Sequence, residues 1–269
     1  MRLLLPVLAC ALAGACSGNS ADEPAAPASS EAVSLPEPAP SPSAAPAVAR
    51  KESVSNDLYE FEYSYPAAAA TIPDLRKWLD DDLEKQRREL IENAQEQLDA
   101  SKKEGFPFNP LGDWVAWKVV TDLPGWLSLS AEVSTYEGGA HPNHGFDAMI
   151  WDRQANLRRA PLDLFTSKEA LSRALRTDFC RLLDRQRAEK RQGEDLGGDS
   201  PFSECVDPIG STVILGSSNG KAFDRIGILV PPYEAGPYAE GSYEVTLPVT
   251  DAVLTAVKPE YRATFVKGR

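Results

Sequence analysis

The feature that most constrains this chain is a long amphipathic segment that directly follows a short alternating one. The stretch LYEFEYSYP alternates aromatic and polar residues, which predicts a half-buried β-strand. From Pro73 up to Gly105, apolar residues such as Leu75, Leu79 and Leu83 recur at helical spacing on one stripe. Because proline suits a first helical turn and glycine suits a helix end, we predict one helix of about eight turns.

Further strands and helices complete the predicted pattern. The residues Thr166 and Glu169 have the spacing of a capping box that opens a second helix, and TDAVLTAV predicts a short third one. The dipeptide Asn219-Gly220 is a hairpin-turn signal. Strands are predicted in WVAWKVV, WLSLSAEVSTY, FDAMIWD, SYEVTLPV and YRATFV. This order predicts an α+β fold, an antiparallel β-sheet packed against two main α-helices.

Two further expectations concern side chains. The tail of the second helix, DRQRAEKRQGEDLGGDS, is rich in charge and is expected to be solvated. Four tryptophans, Trp114, Trp117, Trp126 and Trp151, are expected to lie in the core, and the alternative is that exposed members stack on sugars.

The first residues have the pattern of an export signal. Arg2 precedes an apolar run that ends in small side chains, and the run is shorter than the roughly 20 residues of a spanning helix. The small residues before Cys16 resemble the lipobox of bacterial lipoproteins. We therefore expect a signal peptide at residues 1–15 and lipidation at Cys16. An ordinary cleaved signal, or lipidation at Cys10, is the alternative.

The segment after the signal predicts a tether. Residues 16–52 are dominated by alanine, proline and serine, with too little apolar bulk to offset the entropy lost on ordering. We expect a lipid-anchored disordered linker, followed by a globular part at 53–157 and 158–269. Ser17 after the cysteine suggests the outer membrane, with the protein facing the periplasm.

Charge limits the classes of partner. The formal net charge is −12, which argues against nucleic acid because its phosphate backbone is anionic. The same charge favours cationic partners through long-range attraction.

The cysteines of the globular part are Cys180 and Cys205. Two cysteines in an exported protein are expected to form a disulfide, and two buried free thiols are the alternative. Closing a loop of about 25 residues would contribute about 3 kcal/mol to stability.

The stretch YEGGAHPNHG, which starts at Tyr136, holds both histidines of the chain, His141 and His144. Its glycines permit positive φ, so we interpret the stretch as a hairpin turn in which His141 bonds to the backbone and His144 is exposed. The alternative is a recognition loop, because binding residues concentrate on loops held by a rigid scaffold.

The residues give little support to catalysis. A zinc site needs three or four ligands, and His141 and His144 have only Asp147 or Asp152 as further candidates. No spacing selects a pair among 40 acidic residues for glycosidase chemistry. We therefore expect no enzyme activity, no catalytic residue, no metal and no cofactor.

Four motifs together resemble the PdaC/RsiV-like extracytoplasmic domains of bacteria. They are YSYP, YEGGAHPNHGF, PLDLF and PYEAGPYAEGSYEVTLPV, in this order. The resemblance covers about residues 55–266 and implies a PdaC-like part at 53–157 and an RsiV-like part at 158–269. RsiV-type members are membrane-bound anti-sigma factors whose outer domain binds lysozyme. PdaC-type members carry the module beside a peptidoglycan deacetylase domain.

The resemblance implies an envelope-facing binding module whose ligand is a lysozyme-like protein or peptidoglycan. A hydrolase or deacetylase acting on peptidoglycan is the alternative, and a structural scaffold is a third. For the tyrosines of the later motif, buried turn aromatics are the first interpretation and a binding surface is the second. The candidate binding residues lie in two loops and are Tyr136, Gly138, Gly139, His141, His144, Tyr233, Tyr238 and Gly241.

Overall fold

The computed structural model describes residues 48–193 and 200–269. The predicted signal peptide, Cys16 and the predicted linker up to residue 47 lie outside the described residues. The strands are β1 (Arg50–Ser55), β2 (Tyr59–Tyr65), β3 (Leu111–Leu123), β4 (Trp126–Tyr136), β5 (Asn143–Asp152), β6 (Leu157–Arg159), β7 (Thr212–Gly216), β8 (Arg225–Val230) and β9 (Tyr243–Pro248). The α-helices are α1 (Ala67–Ala70), α2 (Pro73–Glu104), α3 (Lys168–Arg191) and α4 (Asp251–Ala256).

The described strands form two sheets. Strands β1 to β6 make one sheet in sequence order, and every pair in it is antiparallel except the parallel pair β2–β3. Strands β7 to β9 make a separate antiparallel sheet. The parallel pair arises because α2 returns the chain across the sheet before β3 begins, as a parallel crossover requires. The α+β class is confirmed, whereas the single antiparallel sheet is replaced by two sheets with one parallel pair.

Each long helix covers one sheet. A cluster of buried side chains lies between α2 and the six-stranded sheet and contains the predicted stripe, including Leu75 and Leu79. A second cluster lies between α3, α4 and the three-stranded sheet, with Leu171 and Phe179 at its centre. Full burial of such a side chain contributes about 2 kcal/mol, so the stripes fix which helix face points inward. None of the described helices is both long and apolar enough to span a bilayer.

One predicted helix start and one predicted strand are wrong. Helix α3 begins after Ser167, whose hydroxyl accepts a hydrogen bond from the N–H of Ala170 at 3.1 Å, and not after Thr166. Thr166 instead donates to the carbonyl of Ala256. The stretch YRATFV falls largely in a 3-10 helix at Pro259–Thr264, because proline starts a helical turn there instead of a strand.

Smaller differences concern boundaries. Strand β1 begins at Arg50, inside the segment 16–52 that was predicted as linker, and β6 runs across the expected boundary between residues 157 and 158. The predicted turn at Asn219-Gly220 is present, with a φ of 66° at Gly220, but it lies within a longer connection between β7 and β8.

The tryptophans divide between the two faces of the six-stranded sheet. Trp117 and Trp151 are each 4% exposed and lie in the cluster beneath α2, which confirms the core prediction for them. Trp126 packs, partly buried, against the second cluster. Trp114 belongs to neither cluster, so the core prediction is wrong for this residue. Successive residues of a strand point to opposite faces, and Trp114 therefore points away from α2.

The predicted disulfide is confirmed. Cys180 of α3 is bonded to Cys205, with the two Cα atoms 5.5 Å apart. Next to it, Arg187 donates to the carbonyl of Glu204 at 3.0 Å. The bond therefore holds the segment that follows α3 against the helix itself.

Asp113 is a carboxylate that lies under α2, where burial and neighbouring acidic residues disfavour its charged form. One oxygen of Asp113, on β3, is buried and has no hydrogen-bond partner among the described residues. Burial, followed by repulsion from Asp82 and Glu89, raises the pKa of Asp113 to about 6. The side chain lines a cavity of about 570 Å³ between α2 and the start of β3, which reaches Glu137 beyond the end of β4.

Replacing both Cys180 and Cys205 by alanine should lower the free energy of unfolding by about 3 kcal/mol. Without the disulfide the unfolded chain is no longer closed into a loop, so its conformational entropy is higher. Urea unfolding of the oxidised protein and the double variant measures this difference. Adding a reductant should bring the unmodified protein down to the variant and leave the variant unchanged. Equal stability of the two oxidised proteins would contradict the expectation.

Asp113→Asn should stabilise the protein at pH 8 by about 1 kcal/mol, a figure that allows for partial solvent screening. The folded-state pKa is raised above the unfolded value near 4, so the folded protein binds this proton more tightly. The destabilisation by the charge therefore begins as the pH rises above about 4 and is complete above about 6. The free energy of unfolding, measured at pH 4 and pH 8, should be higher in the variant than in the unmodified protein only at pH 8. An equal increase at both pH values would show that the charge of Asp113 is not its cause.

Candidate functional site

The histidine stretch forms the hairpin connection between β4 and β5, as predicted. The φ of Gly138 is 85°, a region that favours glycine. The hydroxyl of Tyr136 donates to the carbonyl of Gly139 at 2.9 Å and closes the turn. His141 lies in the connection itself, and the exposed His144 is already part of β5.

Both ring nitrogens of His141 have polar partners. Nδ1 lies 2.9 Å from the carbonyl oxygen of Pro142, and Nε2 lies 3.2 Å from the hydroxyl of Tyr233. Because a carbonyl can only accept, Nδ1 carries the proton and donates it. In the neutral ring Nε2 then accepts from the hydroxyl of Tyr233. Both nitrogens therefore hold loop structure, and the one basic lone pair of the neutral ring, on Nε2, accepts from the hydroxyl of Tyr233.

Tyr238 joins this histidine to the second predicted loop. Its ring stacks on His141 with centroids 3.8 Å apart and planes inclined by 20°. Its hydroxyl donates to the carbonyl of Pro142 at 3.0 Å. The same ring lies 5.5 Å from that of Tyr233 and 6.0 Å from that of His144, centroid to centroid. We call His141, His144, Tyr233 and Tyr238 the aromatic cluster.

Tyr233 is a solvent-exposed member of the cluster. It is 54% exposed, and its φ is 70°, a region that costs a residue with a β-carbon about 1–2 kcal/mol. Its backbone N–H donates to the carbonyl of Gly236 at 3.0 Å. Its loop, and not burial of its ring, therefore fixes its position. The first interpretation, a buried turn aromatic, is wrong for Tyr233, whereas Tyr238 is half-buried.

The connection that carries both tyrosines, residues 231–242, is held by the last turns of α3. Arg187 is 3% exposed and donates from Nε to the carbonyl of Ala235 at 2.8 Å. Nζ of Lys190 donates to the carbonyl of Glu240 at 2.6 Å. The expectation that this tail is solvated is wrong for Arg187, whereas Lys190 is exposed even though it bonds to the connection. The available signal was their spacing, because residues three or four apart share one helix face.

Glu240 is the acidic partner of this support. Its Oε1 lies 2.8 Å from Nε of Arg191. Burial by itself raises the pKa of Glu240, but hydrogen bonds from Arg191 and Tyr243 outweigh it, so the pKa lies below its ordinary value. Burial, and then the bond to Glu240, raises the pKa of Tyr243 to about 12. The predicted Gly241 follows directly with a φ of 65°, where glycine is favoured.

The carboxylates considered as metal ligands do not assemble with the histidines. Asp152, at the far end of β5, pairs with Arg159 at 3.0 Å. One oxygen of Asp147 accepts from the N–H of Ala148. In the described parts of the chain, no group of three or more histidine, cysteine, aspartate and glutamate side chains is placed to hold a metal ion.

The structure thus brings together the two loops that were predicted separately. His141 and Pro142 of the first loop contact Tyr233 and Tyr238 of the second. The carbonyl of Pro142 and the basic turn of α3 were not among the predicted site residues. Chemically, the site offers aromatic faces and hydrogen-bonding edges in fixed positions, which suits recognition of a ligand.

One comparison with known proteins covers the first loop. The family model described as "Deacetylase PdaC" matches residues 52–144. No curated protein sequence matches the chain significantly. A crystal structure of a DUF3298 family protein from Pseudomonas aeruginosa PAO1 aligns at 14% identity, with a TM-score of 0.48, over 84% of this chain and 99% of that one. A DUF3298 family member from Bacteroides fragilis aligns at 16% identity, with a TM-score of 0.43, over 80% of this chain and 96% of that one.

The predicted resemblance to PdaC-type domains is confirmed for residues 52–144, a segment that includes both histidines.

Proposed function

We propose that this protein is a non-enzymatic binding module of the bacterial cell envelope, and that the aromatic cluster recognises a cationic, lysozyme-like protein. The observation that carries the proposal is Tyr233, an exposed aromatic side chain held at positive φ. A costly backbone conformation at an exposed side chain is more often found at functional sites than elsewhere. From the leader pattern, we also propose export, lipidation at Cys16 and an outer-membrane anchor facing the periplasm.

The form of the cluster supports protein recognition. Tyrosine offers a large contact area with only two side-chain torsions to restrain, so little entropy is lost on binding. Here the ring positions are already set by the stack of Tyr238 on His141 and by the bond from Tyr233 to His141. A contact surface that is rigid before binding avoids part of the ordering cost of association.

The charge around the cluster supports a cationic partner. Glu137 and Glu234 are exposed in the two loops that carry the cluster, and the chain as a whole has a formal charge of −12. Attraction of this kind raises association rates and weakens as salt screens it. Lysozymes are commonly cationic, and the RsiV-type domains that this sequence resembles bind lysozyme.

A deacetylase acting on peptidoglycan is the second candidate, and the description of the matching family model favours it. Incubating the protein with peptidoglycan, with and without a chelator, and measuring released acetate tests this candidate directly. Chelator-sensitive acetate release would replace the binding proposal. Retention on insoluble peptidoglycan without any product, if Tyr233→Ala abolishes it, would redirect the proposal for the aromatic cluster to a glycan ligand.

Tyr233→Ala should weaken binding to a C-type lysozyme by about tenfold or more, because a central exposed tyrosine is a typical hot spot. Calorimetry at low and at high salt measures the affinity for lysozyme. This affinity should fall as the salt concentration rises, for the unmodified protein and for the variant alike. Phe106→Ala is the matched control, because Phe106 is an exposed aromatic residue, 42% accessible, outside the cluster. The absence of binding by the unmodified protein at low salt would refute the protein partner. An equal loss in the control would refute the assignment to Tyr233.

A further inference from the structure

We propose a second binding site on this protein, a groove for a neutral pyranose oligosaccharide on the face of the six-stranded sheet that points away from α2. The site shares only His144 with the aromatic cluster and goes beyond the proposed function. The groove has a volume of about 470 Å³, within the range of small-molecule sites. Its main lining side chains are Glu62, Trp114, Glu132, Ser134, His144 and Phe146.

The floor of the groove is an indole that folding leaves uncovered. Trp114 and Phe146 are half-buried, yet they belong to neither of the two hydrophobic clusters. The six-membered ring of Trp114 lies over Gly112, where any Cβ would overlap with it. Gly112 therefore provides the space in which the indole lies down along its strand. An apolar surface recessed in this way has no packing role in either core and is available to a ligand.

The combination of an aromatic floor and a polar rim suits a sugar ring. The C–H bonds on one face of a pyranose carry partial positive charge, which the negative face of an indole attracts. The hydroxyls of the same ring point outward and require donors and acceptors around the floor. Glu62, Glu132 and Ser134 supply these groups at the rim. A peptide would place no such regular set of hydroxyls against the rim.

The charge balance of the groove favours a neutral ligand. Glu62 pairs with Lys51 at 2.9 Å, and Glu132 pairs with Lys118 at 2.5 Å. Each carboxylate of the rim therefore has its own ammonium partner, although the chain as a whole is strongly acidic. The groove has no surplus charge from these residues to select a cation or an anion. The expected ligand of the groove therefore differs in charge from the cationic partner proposed for the aromatic cluster.

Titrating the full chain with a tetramer of β-1,4-linked N-acetylglucosamine, and with a cello-oligosaccharide of equal length, tests the proposal. Calorimetry should show saturable, salt-independent binding of at least one of the two. Trp114→Ala should weaken it at least tenfold. Gly112→Ala should have a similar effect, because the added methyl group displaces the indole.

The matched control is Gly125→Ala, in the turn between β3 and β4, where an added Cβ meets no atom within 4 Å. It should bind as the unmodified protein does. Thermal unfolding establishes that each variant is folded, and Trp114→Phe serves as the smaller change if Trp114→Ala does not fold. Lysozyme binding should be unchanged in the Trp114 variants, so failure of the groove and failure of the proposed function are distinguishable. No binding of either oligosaccharide, or loss in Tyr233→Ala with retention in Trp114→Ala, would overturn the proposal.

Discussion

The carbonyl oxygen of Pro142 is the point on which the candidate site depends. It accepts hydrogen bonds from Nδ1 of His141 and from the hydroxyl of Tyr238, and so joins two loops that are 96 residues apart in sequence. Pro142 directly precedes Asn143, the first residue of β5, so this carbonyl belongs to the peptide unit that enters the strand. Loss of either bond would release the stacked rings. The hydroxyl of Tyr233 would then lose its partner as well, while the loop would still hold the backbone of this residue.

The second loop depends in turn on a charge that is buried inside the protein. The guanidinium of Arg187 would be costly to bury unless its donors were satisfied, and the carbonyls of Ala235 and Glu204 accept from it. Glu204 is placed there because its neighbour Cys205 is bonded to Cys180 on the same helix. The disulfide, the arginine and the tyrosine-bearing loop therefore form one continuous support. The disulfide next to α3 therefore supports a loop that lies about 30 residues further along the chain.

The two long helices could be predicted because the periodicity of apolar residues is a local property of the sequence. The parallel pairing of β2 with β3 could not, because it depends on the sheet edge to which α2 returns the chain. The two candidate loops were found through the resemblance, but their contact through Pro142 involves a backbone atom that no residue pattern marks. One error was avoidable. Trp114 and Trp117 are three apart on one strand and must point to opposite faces, so only one of them could lie beneath α2.

The two candidate surfaces differ in the range over which they act. Exposed carboxylates near the aromatic cluster, such as Glu137 and Glu234, act over about 8–10 Å in physiological salt, whereas stacking on Trp114 requires direct contact. His144 belongs to the cluster and also lines the groove, so the two surfaces adjoin on β5. A cationic protein that approaches the loops is therefore brought next to a groove suited to neutral sugars. A partner that itself carries or holds a glycan would engage both surfaces, and the second contact would then be intramolecular, with a correspondingly higher effective concentration.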